Sequence, residues 1–216
     1  MDKSGLFMIS GGCNMKVLIT SAYIPDIDDE ITFDENLPLP GKKKFGEVLI
    51  KFNTKAWVND VAFSPSGNFA FAGSHNSTLS IVNCKENTVE TLNLTHSPVS
   101  KIVPLNDEII IVIGFDRHFY RYSRSNPEKK WKYHDSLTKF DLNKFTSDLE
   151  EKKEEIASFK DRVGVFKNLS KKTSLIVTSN KNETKNIHLA NICSTSVVSN
   201  NLVTSDLAGY IKLWPL

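Results

Sequence analysis

Residues 57–83 read WVNDVAFSPSGNFAFAGSHNSTLSIVN, and this stretch decides the fold. Three apolar residues lie on one face of a first strand: Val58, Val61 and Phe63. The Ser-Pro-Ser-Gly sequence that follows has turn chemistry, because Pro65 presets φ and Gly67 tolerates a positive φ. Two phenylalanines then mark a second strand, and residues 77–82 form a third. The stretch therefore predicts three consecutive antiparallel strands joined by tight turns.

The third strand begins at a fixed distance from a turn residue. Asn76 lies three residues before Leu79 and five before Ile81. The combined pattern, V-x-x-V-x-F-S-P-x-G followed by G-S-x-[DN]-x-T-[IL]-x-[IL], is typical of one blade of a WD-repeat β-propeller. The offset of three recurs in four third-strand motifs, which begin at Asn14, Asn76, Asp116 and Ala208, and further apolar or aromatic residues follow five or six positions after each motif residue.

The spacing of these motifs predicts the architecture. Asn76 and Asp116 are 40 residues apart, which is the period expected of such blades. The interval from Asn14 to Asn76 contains an additional acidic loop, and the interval from Asp116 to Ala208 contains an insertion. The first recognisable strand, residues 6–10, is the second strand of a blade. The first strand of the last blade is expected at Ile187, Ala190 and Ile192. We predict an all-β, partial WD-repeat propeller over residues 1–216, an open arc of about three and a half to four blades.

Residues 137–173 break the β pattern. Seven apolar residues there follow steps of three and four: Leu142, Phe145, Leu149, Ile156, Phe159, Val163 and Phe166. This periodicity predicts an amphipathic helical insertion with a Glu- and Lys-rich solvated face. Its apolar seam either packs on the propeller or docks on a partner, and the sequence leaves both open.

Composition excludes several classes of protein. A net charge of +2, without a Lys/Arg stripe interleaved with aromatic residues, gives no reason to expect nucleic acid. Three widely spaced cysteines argue against a disulfide framework or a zinc site. The longest apolar run, residues 109–113, is far too short to span a membrane. The first residues lack the plan of a signal peptide, so we expect a cytoplasmic protein without membrane or nucleic-acid partners.

No arrangement of residues predicts catalysis. The five histidines, His75, His96, His118, His134 and His188, do not have metal-ligand spacing and adjoin no nucleophile motif. Gly11 and Gly12 form a hairpin turn, since no helix follows them as in a phosphate loop. His96 and Asp116 resemble the structural His–Asp network of WD repeats, which orders a turn. The three tryptophans are expected to pack in the core or at the rim. We therefore predict no enzyme, and no catalytic, cofactor-binding or metal-binding residue.

Beyond the repeat grammar, particular residues resemble subunit 1 of the actin-related protein 2/3 complex. Residues 7–24 (FMISGGCNMKVLITSAYI) are similar to the family's A-G-S-C-D-x-K-x-R-I-F-S-A-Y-I, which also leads into a charged loop. Further matches are FGEV at 45–48, SHNST at 74–78 and GFD at 114–116. The insertion lies where the family has one, and its FKNLSKK at 166–172 is similar to R-F-Q-N-L-D-K-K.

The chain also departs from this family. The family forms seven blades, whereas this chain matches the last three and a half, its C-terminal half. No Trp-Asp dipeptide occurs, and Val-Asn, Tyr-Ser and Trp-Pro stand in its place at residues 82, 122 and 214. The departures suggest a fragment, an incomplete gene product or a reduced subunit, and the sequence does not choose among them.

The resemblance implies a function. It predicts a non-enzymatic scaffold of the actin cytoskeleton that supports actin nucleation and branched filament formation. Its implied partners are the other subunits of the complex, the actin filament and nucleation-promoting factors. By position in the insertion, the expected partner-binding residues are Phe159, Val163, Phe166 and Leu169. The alternative from another class is a WD-repeat adaptor unrelated to actin, such as a substrate receptor of a ubiquitin ligase.

Overall fold

A computed structural model describes residues 1–25, 27–28, 37–124, 130–136, 188, 190–198 and 201–215. The strands formed by these residues belong to one structural unit, residues 1–138 and 187–216. A second unit, residues 139–186, lies outside the described part. The predicted helical insertion, with its expected anchors Phe159, Val163, Phe166 and Leu169, falls within residues 137–187 and is therefore also outside it. The insertion stays a prediction.

The described strands form four antiparallel sheets, and within each sheet the strands pair in chain order. The first sheet contains β1 (Phe7–Gly11), β2 (Lys16–Ser21) and β3 (Val48–Asn53). The second contains β4 (Val58–Phe63), β5 (Phe69–Ser74), β6 (Thr78–Asn83) and β7 (Thr88–Asn93). The third contains β8 (Val99–Pro104), β9 (Ile109–Gly114), β10 (Phe119–Ser123) and β11 (Lys132–Ser136). The fourth contains β12 (Ile192–Val198), β13 (Asn201–Asp206) and β14 (Ile211–Pro215).

The four predicted turns are confirmed by their backbone geometry. Each motif residue is followed directly by a residue of positive φ: Met15 (58°), Ser77 (56°), Arg117 (68°) and Gly209 (85°). These turns join the second and third described strands of the last three sheets, and the first and second of the first sheet. Each repeat read from the sequence therefore corresponds to one antiparallel sheet, and the all-β partial propeller is confirmed.

The first strand of the last sheet was predicted wrongly. It runs from Ile192 onward, so Ala190 precedes it, and Ile187 lies outside the described residues. Ile192 pairs with Asp206 just before a bulge, as Val58 pairs with Ser74 before a bulge in the second sheet. The apolar spacing that ends at Ile192 imitated the repeat pattern. The strand itself is formed by Ile192 and the Ser- and Thr-rich segment that follows it.

Successive sheets bury their faces against one another. Between the first and second sheets, the core contains Phe7, Ile19, Ile50, Ala70 and Val82. Between the second and third, it contains Phe71, Leu79, Ile81, Ile102, Ile110, Val112, Tyr122 and Trp131. Between the third and fourth, it contains Ile111, Ile113, Phe119, Leu202 and Trp214. Because β9 contributes alternate residues to two of these cores, the third sheet is apolar on both faces.

Glycine lets the sheets approach closely at one equivalent point. A Cβ atom on Gly73 would overlap Cγ1 of Val99, the first residue of β8. A Cβ atom on Gly11 would likewise meet Cγ1 of Val58, the first residue of β4, at 2.5 Å. The same contact thus joins the first sheet to the second and the second to the third.

We expect Gly73→Ala to destabilise the protein by about 2 kcal/mol, because overpacking at a closely packed position costs about 1–3 kcal/mol. The measurement is the urea midpoint of unfolding followed by circular dichroism. Gly12→Ala is the control, since the nearest atom to an added Cβ there is Asn14 Oδ1 at 3.6 Å. Equal midpoints for the two variants would contradict this account of the inter-sheet contact.

Candidate partner-binding surface

Three aromatic rings form a row across the second and third sheets, and we call them the aromatic row. The centroid of His75 lies 5.9 Å from that of Trp57 and 5.7 Å from that of Phe115. The side chains of Trp57 and Phe115 are 56% and 38% exposed. Large aromatic side chains that combine exposure with fixed spacing are typical of protein-binding surfaces.

The repeat geometry brings this row together. In each of the last three sheets, the residue after the second strand donates its N–H to the carbonyl oxygen before the first strand. The pairs are His75 to Trp57 at 2.8 Å, Phe115 to Pro98 at 3.0 Å and Leu207 to Asn191 at 3.0 Å. Leu207 holds the corresponding position in the fourth sheet and is 74% exposed. These three positions, His75, Phe115 and Leu207, therefore lie at the same end of their sheets.

Polar contacts join β4, the first strand of the second sheet, to β8, the first strand of the third sheet. Asn59 donates from Nδ2 to the carbonyl of Val99 at 2.8 Å, and Ile102 donates its N–H to Asp60 Oδ2 at 2.8 Å. Lys101 Nζ lies 3.5 Å from Asp60 Oδ1. Burial raises the pKa of Asp60, and the Ile102 N–H and the Lys101 charge oppose this rise. The carboxylate thus joins two sheets through a backbone donor and a cation.

The predicted His96–Asp116 network has a different form. His96 Nδ1 donates to the carbonyl of Ser97 at 2.9 Å, and His96 Nε2 lies 3.0 Å from the Tyr122 hydroxyl. Tyr120 joins the two predicted partners, since its ring stacks on His96 at 3.6 Å and its hydroxyl donates to Asp116 Oδ2 at 2.6 Å. Burial lowers the pKa of His96, opposed by the bond to Ser97. The imidazole therefore packs as a neutral ring beside the tyrosines.

The direct His–Asp pair lies in the fourth sheet, where sequence reasoning missed it. His188 Nδ1 is 2.8 Å from Asp206 Oδ2, and both side chains are fully buried. Trp214 Nε1 donates to Thr204 Oγ1 at 2.8 Å, and this hydroxyl lies 2.5 Å from His188 Nε2. One proton arrangement satisfies every group: tryptophan donates to threonine, threonine to histidine, and histidine to the carboxylate. This His–Asp–Thr–Trp chain, like the contacts of His96, orders a turn.

The surroundings of His188 and Asp206 set the charge states of these two side chains. Burial lowers the pKa of His188, although the bond to Asp206 opposes it. The pKa of Asp206 is lowered despite burial, because the N–H of Tyr210 and His188 donate to the carboxylate. A neutral imidazole beside a carboxylate could serve as a general base, but this pair is enclosed and has no access to a substrate.

The structure also shows the exposure of the tryptophans and the state of the cysteines that the sequence analysis considered. Trp131 and Trp214 are buried, as expected, whereas Trp57 stands at the exposed rim. Cys13, Cys84 and Cys193 are free thiols. Within the described ranges, His, Cys, Asp and Glu side chains do not cluster in a way that could hold a metal ion. The same part of the chain contains no helix long and apolar enough to cross a bilayer.

The stability of the protein should fall as the pH is lowered through about 6.5, the ordinary pKa of histidine. His96 and His188 have lowered pKa values in the folded state, so the unfolded chain binds more protons in this range. The contribution of Asp206, whose pKa lies below 3.8, is lost only at lower pH. The measurement is the free energy of unfolding between about pH 5 and 7.5.

His188→Asn should flatten this dependence and lower stability at pH 7.5, since it breaks the His–Asp–Thr–Trp chain. His75→Asn, at the surface, is the control. A dependence that is unchanged by His188→Asn would refute the assignment of a buried neutral imidazole.

Trp57→Ala should change the free energy of unfolding by less than about 0.5 kcal/mol, because its side chain is mostly exposed. Trp131→Ala is the matched core variant and should cost about 3–5 kcal/mol. The Trp131 ring lies edge-on to Phe71 with centroids 5.6 Å apart. Similar urea midpoints for the two variants would show that Trp57 has a structural role and does not form a free surface.

One family model and one solved structure are similar to parts of this chain. The WD40 family model, described as WD domain, G-beta repeat, matches residues 46–83. Among solved structures, the WD40 repeats of RRP9 align with a TM-score of 0.44 and 18% identity, covering 62% of this chain and 34% of that one.

Curated relatives carry a more specific name. Actin-related protein 2/3 complex subunits 1A-B and 1A-A of Xenopus laevis are each 28% identical over 117 residues, 52% of this chain and 31% of theirs. Subunit 1 of Schizosaccharomyces pombe is 28% identical over 118 residues, 50% of this chain and 30% of its own. The match thus spans less than a third of each relative. The chain contains a WD40 repeat at residues 46–83 and is similar, over about half of its own length, to subunit 1 of the actin-related protein 2/3 complex.

Proposed function

We propose that this protein is a non-enzymatic scaffold subunit of an actin-related protein 2/3 complex and supports the nucleation of branched actin filaments. The observation that carries the proposal is the similarity to subunit 1 of two distant organisms, frog and fission yeast, at 28% identity over 117 and 118 residues. The names of these relatives state that they are subunits of the complex. Its place would be the cytoplasm, at the actin cytoskeleton.

The geometry of the described residues supports a scaffold role. Four stacked sheets make a stiff body, because side chains of neighbouring sheets pack into shared cores. Between the second and third sheets, a polar bond also joins β4 to β8. The aromatic row offers Trp57 and Phe115 at fixed spacing on that body. Rigid aromatic anchors bind proteins at a small entropic cost. The buried histidines, by contrast, are engaged in structural hydrogen bonds.

The partners that follow from this proposal are other subunits of the complex, the actin filament and nucleation-promoting factors. The aromatic row suits a neighbouring subunit, since subunit contacts are long-lived and use buried aromatic anchors. For the filament and the nucleation-promoting factors, we propose the apolar seam of residues 137–173. Its proposed anchors are Phe159, Val163, Phe166 and Leu169.

Assembly into the complex is tested by affinity purification of the tagged protein from its own cells. We expect actin-related proteins 2 and 3 to copurify, and Trp57→Ala with Phe115→Ala to reduce their recovery. Lys85→Ala, on an exposed turn of the second sheet, is the surface control. Recovery of ubiquitin-ligase components without actin-related proteins would favour the adaptor alternative and contradict the proposal.

Phe166→Ala with Leu169→Ala should leave the subunit in the complex and weaken its engagement with the filament. Truncating a buried anchor costs about 2 kcal/mol of binding, roughly thirtyfold in affinity. The measurement is the number of branches in an actin assembly assay with the purified complex. Lys153→Ala with Glu154→Ala, on the predicted polar face, is the matched control. Normal branching would indicate that the apolar seam only packs on the protein's own propeller. Loss of the subunit from the complex would assign these residues to folding.

A further inference from the structure

A cleft lies between the second and third sheets, at the end opposite the aromatic row. It has a volume of about 150 Å³, which is room for about ten water molecules, since one needs about 10–15 Å³. Phe69, the first residue of β5, and Trp131, just before β11, line it with ring centroids 6.4 Å apart. His75 of the aromatic row follows the other end of β5, so the cleft and the row are separate surfaces.

Strand pairing determines the chemistry of one wall of the cleft. Phe69 pairs with Asn83, which pairs in turn with Thr88 of β7. In the next row, Ile81 pairs with Glu90 of β7. Directly paired residues lie on the same face of a sheet. This face changes from apolar to polar at β7, because Ile81 is buried whereas Thr88 and Glu90 are exposed. The part of this wall that a ligand can reach is therefore polar.

Two carboxylates line the cleft without an opposing cation. Glu86 lies on the turn before β7 and Glu90 within β7, and both side chains are exposed. Among the described residues, no cationic side chain lies within ion-pair distance of either carboxylate. These two glutamates therefore give the wall formed by the second sheet a negative charge.

Arg124 also lines the cleft, but a nearby carboxylate already offsets its charge. Its guanidinium carbon lies 4.5 Å from the centroid of the Phe69 ring. The pKa of Asp107 is lowered despite burial, because Ser66 and Asn68 donate hydrogen bonds to the carboxylate and the Arg124 charge lies close to it. With these two opposite charges paired, the cleft keeps the negative charge of the two glutamates.

We propose that this cleft binds an arginine side chain presented by another protein. A guanidinium carries five N–H donors in a planar fork and is always charged, so it can serve two carboxylates at once. An acidic side chain would be repelled by the glutamates, and an apolar anchor would meet mostly polar groups. The inference goes beyond the proposed function and does not depend on it, because the cleft lies away from the aromatic row.

The probe is the blocked pentapeptide GGRGG, and its matched control carries citrulline, a neutral isostere, in place of arginine. Both are titrated into the full ¹⁵N-labelled chain at low ionic strength, because salt screens exposed charges. The arginine peptide should shift the NMR signals of the Thr88 and Glu90 amides and of the Trp131 indole N–H. It should bind about tenfold more tightly than the citrulline peptide, since each exposed ion pair contributes about threefold.

Charge-neutralising variants identify the carboxylates. Glu90→Gln should weaken binding of the arginine peptide about threefold, and addition of Glu86→Gln should bring the loss to about tenfold. Neither change should alter binding of the citrulline peptide. Glu47→Gln, which removes an exposed carboxylate next to β3, is the control for a change in net charge.

Four results would overturn the proposal. They are absence of binding by the arginine peptide, equal affinities of the arginine and citrulline peptides, and shifted signals that lie outside the cleft. The fourth is a loss of affinity in Glu47→Gln as large as that in Glu90→Gln, which would mean that the peptide responds only to the net charge of the protein.

Discussion

A sheet that is apolar on both faces cannot be stable alone, and the rest of this structure follows from that constraint. In β9, Ile110 and Val112 face the second sheet, whereas Ile111 and Ile113 face the fourth. Burying both faces requires a neighbour on each side, which produces a stack of sheets in chain order. Close stacking is accompanied by glycine at two junctions, where β4 begins against Gly11 and β8 begins against Gly73.

The same constraint determines which surfaces remain for other molecules. In the described part of the chain, faces between sheets are occupied by the core, so partners can reach the ends and the outer edges of the sheets. The aromatic row lies at one such end, where turn residues follow the second strands. This row suits binding to proteins and does not position groups for catalysis.

Buried polar groups in this fold serve the turns. The His–Asp–Thr–Trp chain fixes the turn of the fourth sheet, and every donor in it has an acceptor. In the third sheet, Tyr120 performs a similar task by stacking on His96 and bonding Asp116. Different side chains thus solve one problem, which is to satisfy the polar groups beside a turn between two strands. A histidine in this fold is therefore better explained by turn geometry than by chemistry.

Local rules in the sequence determined the repeat: alternation of apolar residues, turn chemistry at positions such as Gly67, and residues of positive φ after each motif. These depend on neighbours within a few positions, so the strands and turns could be predicted. The first strand of the fourth sheet could not, because the spacing of Ile187, Ala190 and Ile192 imitates the repeat pattern, whereas the strand itself, Ile192–Val198, is rich in Ser and Thr. Nor could the aromatic row or the pairing of His188 with Asp206, since these residues meet only after the sheets stack in the first case and after the strands pair in the second. Tertiary structure decided them, because contacts between distant residues depend on how strands register and not on spacing along the chain.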